Sequence, residues 1–363
     1  MGILTKNFMS LLKMECEIFI TLFIKALGIE SLVWQKALSL EIFRSICRDF
    51  NLLKSLFTSY DMEQQASNVF HDMLREFLKV LKSEPVELSA NNALKVQCID
   101  QLDKMEPPLI PEKYICDLAF QCVSYIIDGM SMELFPLFLV NDDMLNPFES
   151  ELSFRMAING KFNNYDGIEG QNIRKMLQTV WKLLLNSLLV IISSKFEEDY
   201  KRLIFGNVQK YLLSLLFLKF HEEKDISFAE ILCFARPIPS GSKINEGDAS
   251  PSATFYSLSF PEKNVALFQS LLQILHCCPE LIGKSLFSFV EALFMFDQYA
   301  YFQSAQKKAG IINQIGEADA QIYHIAWKFI LHEAALFSDS TFIEFCRCIS
   351  RLPKDQIIVV CTL

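Results

Sequence analysis

The sequence predicts an all-α protein, and within that class an α-solenoid of degenerate HEAT- or armadillo-like helix pairs. Three observations carry this reading. Apolar residues recur at i, i+3, i+4 and i+7 along most of the chain, the spacing that gathers side chains on one face of a helix. Glycine and proline together supply 24 of 363 residues, below the usual share of roughly one in eight, which excludes collagen and argues against disorder or a turn-rich sandwich. Alternating apolar and polar residues, the mark of a half-buried strand, do not compete anywhere; the one β-like tract is Ile357 to Cys361.

The stripes run along the chain in order. Trp34, Ala37, Leu38, Ile42 and Ile46 form one face, and Val69, Met73, Leu74, Phe77, Leu78 and Leu81 another. The pattern returns at 114–127, 180–192, 208–220, 265–275, 286–296, 322–331 and 342–349. Breakers separate them: Gly28 to Ser31, the corner Asp49-Phe50-Asn51, where Asn51 is placed to cap the helix of Leu52, Leu53, Leu56 and Phe57, and the run 106–111. Residues 141–171 read as irregular, and 236–264, rich in Pro, Gly and Ser, as a mobile linker. The expected organisation is a helical region at 1–82, helical repeats at 94–235, the linker at 236–264 and further repeats at 265–363. At about 40 residues per pair the chain holds at most about nine pairs. No crisp repeat consensus is present, so a compact helical bundle stands as the structural alternative.

Composition narrows the function classes. The formal net charge is −9, which removes the basic excess that drives phosphate binding, so nucleic acid is not an expected partner. Eleven cysteines at irregular spacings are too few for a disulfide scaffold and suit a reduced compartment. The start, Met1 to Lys6, carries Lys6 where a myristoylation signal needs Ser or Thr. The first apolar stretch, Ile18 to Ile24, comes after Glu15 and Glu17 and lacks the cleavage site of a signal peptide. The longest, Leu183 to Ile192, is interrupted by Asn186 and Ser187 and is shorter than the roughly 18 residues of a spanning helix, so it reads as a core helix.

No catalytic, cofactor or metal site emerges. His276-Cys277-Cys278 and Cys346-Arg347-Cys348 have no partners at zinc spacing, and the five histidines are scattered. Gly283-Lys284-Ser285 imitates the end of a phosphate loop, but Cys278 stands where the first glycine belongs. Phe287, Phe289, Phe294 and Phe296 are core candidates, with a partner groove as the alternative.

Two linked tracts say more. Residues 15–25, 34–47 and 52–62 in succession resemble the Mon-two (Mon2) family of Golgi and endosome trafficking scaffolds, relatives of the large Arf guanine-nucleotide exchange factors. The tract from Leu102, Asp103 and Lys104 through Glu106, Pro107 and Pro108 to Pro111 and Tyr114 resembles one those proteins carry shortly afterwards. Thr58-Ser59-Tyr60-Asp61-Met62 matches the place of the HUS box, which in the relatives helps hold the N-terminal helices together; Tyr60 and Asp61 keep the motif, while Ser59 and Met62 depart from it. In such a corner the Tyr ring is buried and the carboxylate accepts from amides opening the next helix; a plain N-cap at Asp61 is the alternative.

The resemblance is firm over the first third of the chain, and it implies a divergent, shortened or incomplete member. It also implies a peripheral-membrane, non-catalytic scaffold of endosome-to-Golgi transport, located at the trans-Golgi network and early endosomes. Its implied partners are a Dopey-type protein, an aminophospholipid flippase, retromer-linked machinery and Arf-like GTPases. The catalytic Sec7 domain of the exchange factors has only a faint echo here, Arg351-Leu352-Pro353-Lys354-Asp355, with lysine in place of glycine. The alternatives are a regulatory fragment of an exchange factor and a nuclear-transport-like HEAT adaptor.

Overall fold

The computed structural model describes residues 12–28, 30–64, 66–83, 87–89, 98–101, 109–134, 168–235, 238–239, 258–259, 263–264, 266–268 and 270–271. Helices dominate them. They are α1 Lys13–Lys25, α2 Val33–Arg48, α3 Phe50–Leu56, α4 Val69–Ser83, α5 Glu112–Leu134, α6 Ile168–Ser193, α7 Glu198–Phe217 and α8 His221–Ala235. A π-helical turn, Phe57–Asp61, extends α3, and a 3-10 turn spans Cys98–Gln101. The chain gathers into two compact units, 1–224 and 225–363.

Local chemistry sets the helix ends. The Gln35 side chain accepts the Leu32 amide at 3.1 Å and steadies the start of α2. Asp49, not Asn51, caps α3: its carboxylate accepts the Leu52 amide at 3.2 Å, because the helix opens at Phe50, one residue before the expected cap. Asn51 is an exposed helical residue whose carbonyl accepts from Ser55. The stripe expected to run to Phe220 breaks at Lys219, which takes a positive φ of 59°. There the Phe220 amide reaches the Leu215 carbonyl and the Lys219 amide the Leu216 carbonyl, both at 3.0 Å, which is a Schellman stop. Residues 168–171, expected to be irregular, open α6.

Within the first unit α5 is the hub, packed on α2, α4, α6 and α7. Cross-contacts give the directions. Tyr114 meets Glu41 and Gln121 meets Arg44, so α2 and α5 run parallel. Tyr200 meets Asp117, Asn207 meets Ser124 and Lys210 meets Asp128, so α7 is parallel to α5 as well. The Tyr211 hydroxyl donates to the Trp181 carbonyl at 2.9 Å across the antiparallel α6–α7 hairpin. The short strand β1, Glu87–Leu88, comes after α4 and pairs in parallel with β2, Lys195–Phe196, which comes after α6. A second pair, β3 Ile238–Pro239 with antiparallel β4 Leu258–Ser259, lies in the second unit and inside the stretch expected to be a linker. Thus α2, α5 and α7 line up in one row, while α4 packs on both α1 and α6 in another.

The sequence stripes fill the space between helices. Phe43 on α2 meets Phe77 on α4 edge-on at 5.6 Å, and both rings are fully buried. Gly129 lets α5 press against Phe50, since a Cβ at that position would enter the ring. By length and composition α6 could cross a bilayer, yet it packs on α4, α5 and α7 with Met176, Val180, Leu184, Leu188 and Ile191 buried, which is the expected core helix. The β-like tract at 357–361 and the stripes at 286–296, 322–331 and 342–349 lie outside the described residues.

Candidate functional site

The site is the corner where α3 ends and α4 begins. The apolar stripe of α3 continues into Phe57, and the π turn carries the chain on so that the Met62 amide reaches the Phe57 carbonyl at 3.2 Å. Such a turn inserts a residue into the helical ladder and re-aims the side chains it carries. Among these are Tyr60, fully buried, and Asp61, half buried.

Each of the two reaches a different helix. The Tyr60 hydroxyl donates to the Lys13 carbonyl at the start of α1 at 2.8 Å. The Asp61 carboxylate accepts the Phe70 amide at 2.9 Å and the His71 amide at 3.1 Å, two of the donors that the first turn of α4 leaves open. Phe57 and Phe70 close the corner from beneath, edge-on at 5.7 Å. Further contacts pin α1 from its exposed side. Glu17 accepts from both the Ser67 amide, at 2.9 Å, and the Ser67 hydroxyl, at 2.5 Å, and Lys13 pairs with Glu63 while lying 5.8 Å over the Tyr60 ring. One corner thus fastens three helices.

The electrostatics are set by burial. Desolvation, helped by Cys16 and Glu17, pushes the Tyr60 phenol up to about 12, so it stays a neutral donor. Burial also raises the Asp61 carboxyl, against the pull of the two amides. Glu17 goes the other way, lowered by its bonds to Ser67. Ser59 is half buried and Met62 exposed, so the two departures from the box form fall beside the corner contacts.

The second tract divides. Leu102, Asp103, Lys104, Glu106, Pro107 and Pro108 lie outside the described residues; Pro111 is exposed, and its carbonyl accepts the Tyr114 amide at 3.0 Å. Sequence reasoning missed the carboxylates that organise the rest. Glu41, 2% exposed, accepts from the Cys98 amide, the Ile99 amide and the Tyr114 hydroxyl. Asp117, equally buried, accepts from Tyr200 at 2.8 Å and Gln121 at 2.7 Å. The signal was a lone acid inside an apolar run, Leu40-Glu41-Ile42-Phe43 and Cys116-Asp117-Leu118.

No group of three or more potential metal ligands occurs among the described residues. Cys16, Cys47, Cys98 and Cys122 are buried free thiols, and burial pushes the Cys122 thiol well up, with Cys47 adding to it, which marks Cys122 as a packing residue. The groups His276-Cys277-Cys278, Gly283-Lys284-Ser285, Cys346-Arg347-Cys348 and Arg351 to Asp355, and the phenylalanines from 287 to 296, lie outside the described residues.

Comparison with known proteins covers part of the same region. A family model described as the Mon2/Sec7/BIG1-like HUS domain matches residues 1–69, a span that holds Glu17, Tyr60, Asp61 and Ser67. The chain is 27% identical to the protein MON2 homolog of Xenopus laevis over 184 residues, covering 36% of this chain and 11% of that one. It is 28% identical to the human MON2 homolog over 183 residues, with the same two shares. To protein MON2 of Saccharomyces cerevisiae it is 26% identical over 148 residues, 36% of this chain and 9% of the relative. The matched part therefore spans about a tenth of the length of these curated relatives. No solved structure matches significantly. Over its N-terminal helical part, a span that includes Tyr60 and Asp61, the chain is therefore similar to the Mon2 family and its HUS domain.

Proposed function

We propose that this chain is a non-catalytic scaffold in endosome-to-Golgi vesicle and protein trafficking. The observation that carries the reading is the corner itself: within the segment that matches the HUS domain, Tyr60 and Asp61 use their polar groups to join helices. The two rows of helices are read as a stretch of a HEAT-like α-solenoid. Its support is the parallel run of α2, α5 and α7, the pairing of strands that come after α4 and α6, and the antiparallel α6–α7 hairpin, as stacked helix pairs require. A solenoid exposes long ridges, and a scaffold uses them to raise the effective concentration of two partners.

By family resemblance the proposed partners are a Dopey-type protein, an aminophospholipid flippase, retromer-linked sorting machinery and Arf-like GTPases. The proposed place is the cytoplasmic face of the trans-Golgi network and early endosomes, held peripherally. Two measurements on the full chain test this. Fluorescent chain in cells is expected to mark perinuclear Golgi and endosomal puncta, and diffuse staining opposes the reading. Purified chain is expected to leave nucleotide release from Arf and Arf-like proteins at its basal rate; acceleration would make it an exchange factor.

A further inference from the structure

Helix α1 is fastened on one side and bare on the other. Its inner face buries Cys16, Ile20 and Ile24, and it is held there by the Tyr60 hydroxyl on the Lys13 carbonyl and by Glu17 on Ser67. The outer face carries Met14, 74% exposed, Ile18, 58%, and Leu22, 54%, at i, i+4 and i+8, with Phe19, 47%, on the flank. Residues four apart are neighbours on a helix surface, so these large apolar side chains form one contiguous ridge. An apolar patch of that kind marks a contact site, which singly scattered exposed residues do not. Because the contacts behind it fix the helix, the ridge is presented already formed.

The charges of α1 select what covers it. The helix carries four: Lys13, Glu15, Glu17 and Lys25. Lys13 pairs with Glu63 and Glu17 accepts from Ser67, both on the fastened side. Glu15 and Lys25 are left exposed, and neither has an ion-pair partner among the described residues. At about 100° per residue Lys25 comes round to within about 20° of Ile18, and Glu15 lies about 60° to one side of it, so the ridge has an acid near its start and a base at its end. A second copy of α1 laid antiparallel across the first supplies the complement. In the register that sets Ile18 against the partner's Leu22, Glu15 stands level with the partner's Lys25, and two-fold symmetry makes each contact twice. A parallel pair would set Glu15 against Glu15 and Lys25 against Lys25, and like charges so placed repel. An anionic lipid surface suits the ridge less well, because the two charges cancel and supply no net attraction to the headgroups.

We propose that the outer face of α1 is a self-association surface, closed by a second copy of this chain through an antiparallel α1–α1 contact. The inference stands apart from the trafficking reading and survives if that reading fails. Sedimentation of the full chain at low salt, where exposed charge pairs are least screened, tests it. At about 0.1 mM the wild type is expected to run as a dimer. Ile18→Asp, at an exposed position, is expected to run as a monomer with the wild-type far-ultraviolet helicity, so its loss of pairing reads contact and not folding. Glu15→Lys alone and Lys25→Glu alone are each expected to weaken the dimer by about tenfold, since each sets like charges level with one another twice. An equimolar mixture of those two variants is expected to regain the wild-type affinity, because the mixed pair restores both attractions. A monomeric wild type, a dimer that Ile18→Asp leaves intact, or charge variants that pair as well as the wild type or gain nothing on mixing overturns the proposal.

Discussion

Tyr60 gives its hydroxyl to a helix carbonyl from a fully buried position, so its contribution depends on remaining protonated. Because its pKa is about 12 in the fold and near 10 in an unfolded chain, that contribution is complete below about pH 10 and is lost as the pH rises through about 12. Tyr60→Phe is expected to cost about 1 kcal/mol at neutral pH, the worth of one hydrogen bond. Denaturation midpoints at about pH 9 and about pH 11.5 are expected to fall further for the wild type than for the variant, and an equal fall would deny the bond. Glu41 stands differently, since it is the acceptor for three donors at once. Its removal leaves two amides and a phenol without their partner, so Glu41→Ala is expected to cost about 3 kcal/mol or more in a urea titration. A loss near the ordinary surface value of about 0.5 kcal/mol would contradict the contact.

At the scale of elements, the apolar stripes made α2, α4 and α5 legible, because periodicity reports directly on which face is buried. Turn chemistry was less legible. Asp49 and Asn51 both suit an N-cap, and only the position of Phe50 in the helix decides for Asp49. The stop at Lys219 carries no glycine, so nothing in the sequence marks it as a left-handed C′ residue. That position makes its own prediction: Lys219→Gly relieves the strain of a side chain at positive φ and is expected to stabilise the chain by about 0.5–1 kcal/mol in thermal unfolding. A destabilised variant would mean that the lysine stem packs more than the backbone strains. The π turn was invisible for a related reason, since one extra residue in a ladder leaves the apolar pattern almost unchanged.

At the scale of the whole molecule, the helical class could be read from spacing, but the pairing of helices could not. The row of α2, α5 and α7 is written in contacts 73 to 83 residues apart, Glu41 with Tyr114 and Asp117 with Tyr200, which no local pattern encodes. The Tyr60–Asp61 motif could be located by resemblance, whereas its reach back to Lys13 needed the fold. The central proposal is that this corner serves a scaffold. Binding of a purified Dopey-type protein to the full chain, measured for wild type and for a Tyr60→Ala, Asp61→Ala double variant, tests that claim most directly. The account predicts a stable complex that the double variant weakens by about tenfold or more. No complex with the wild type, or equal binding by both chains, would contradict it.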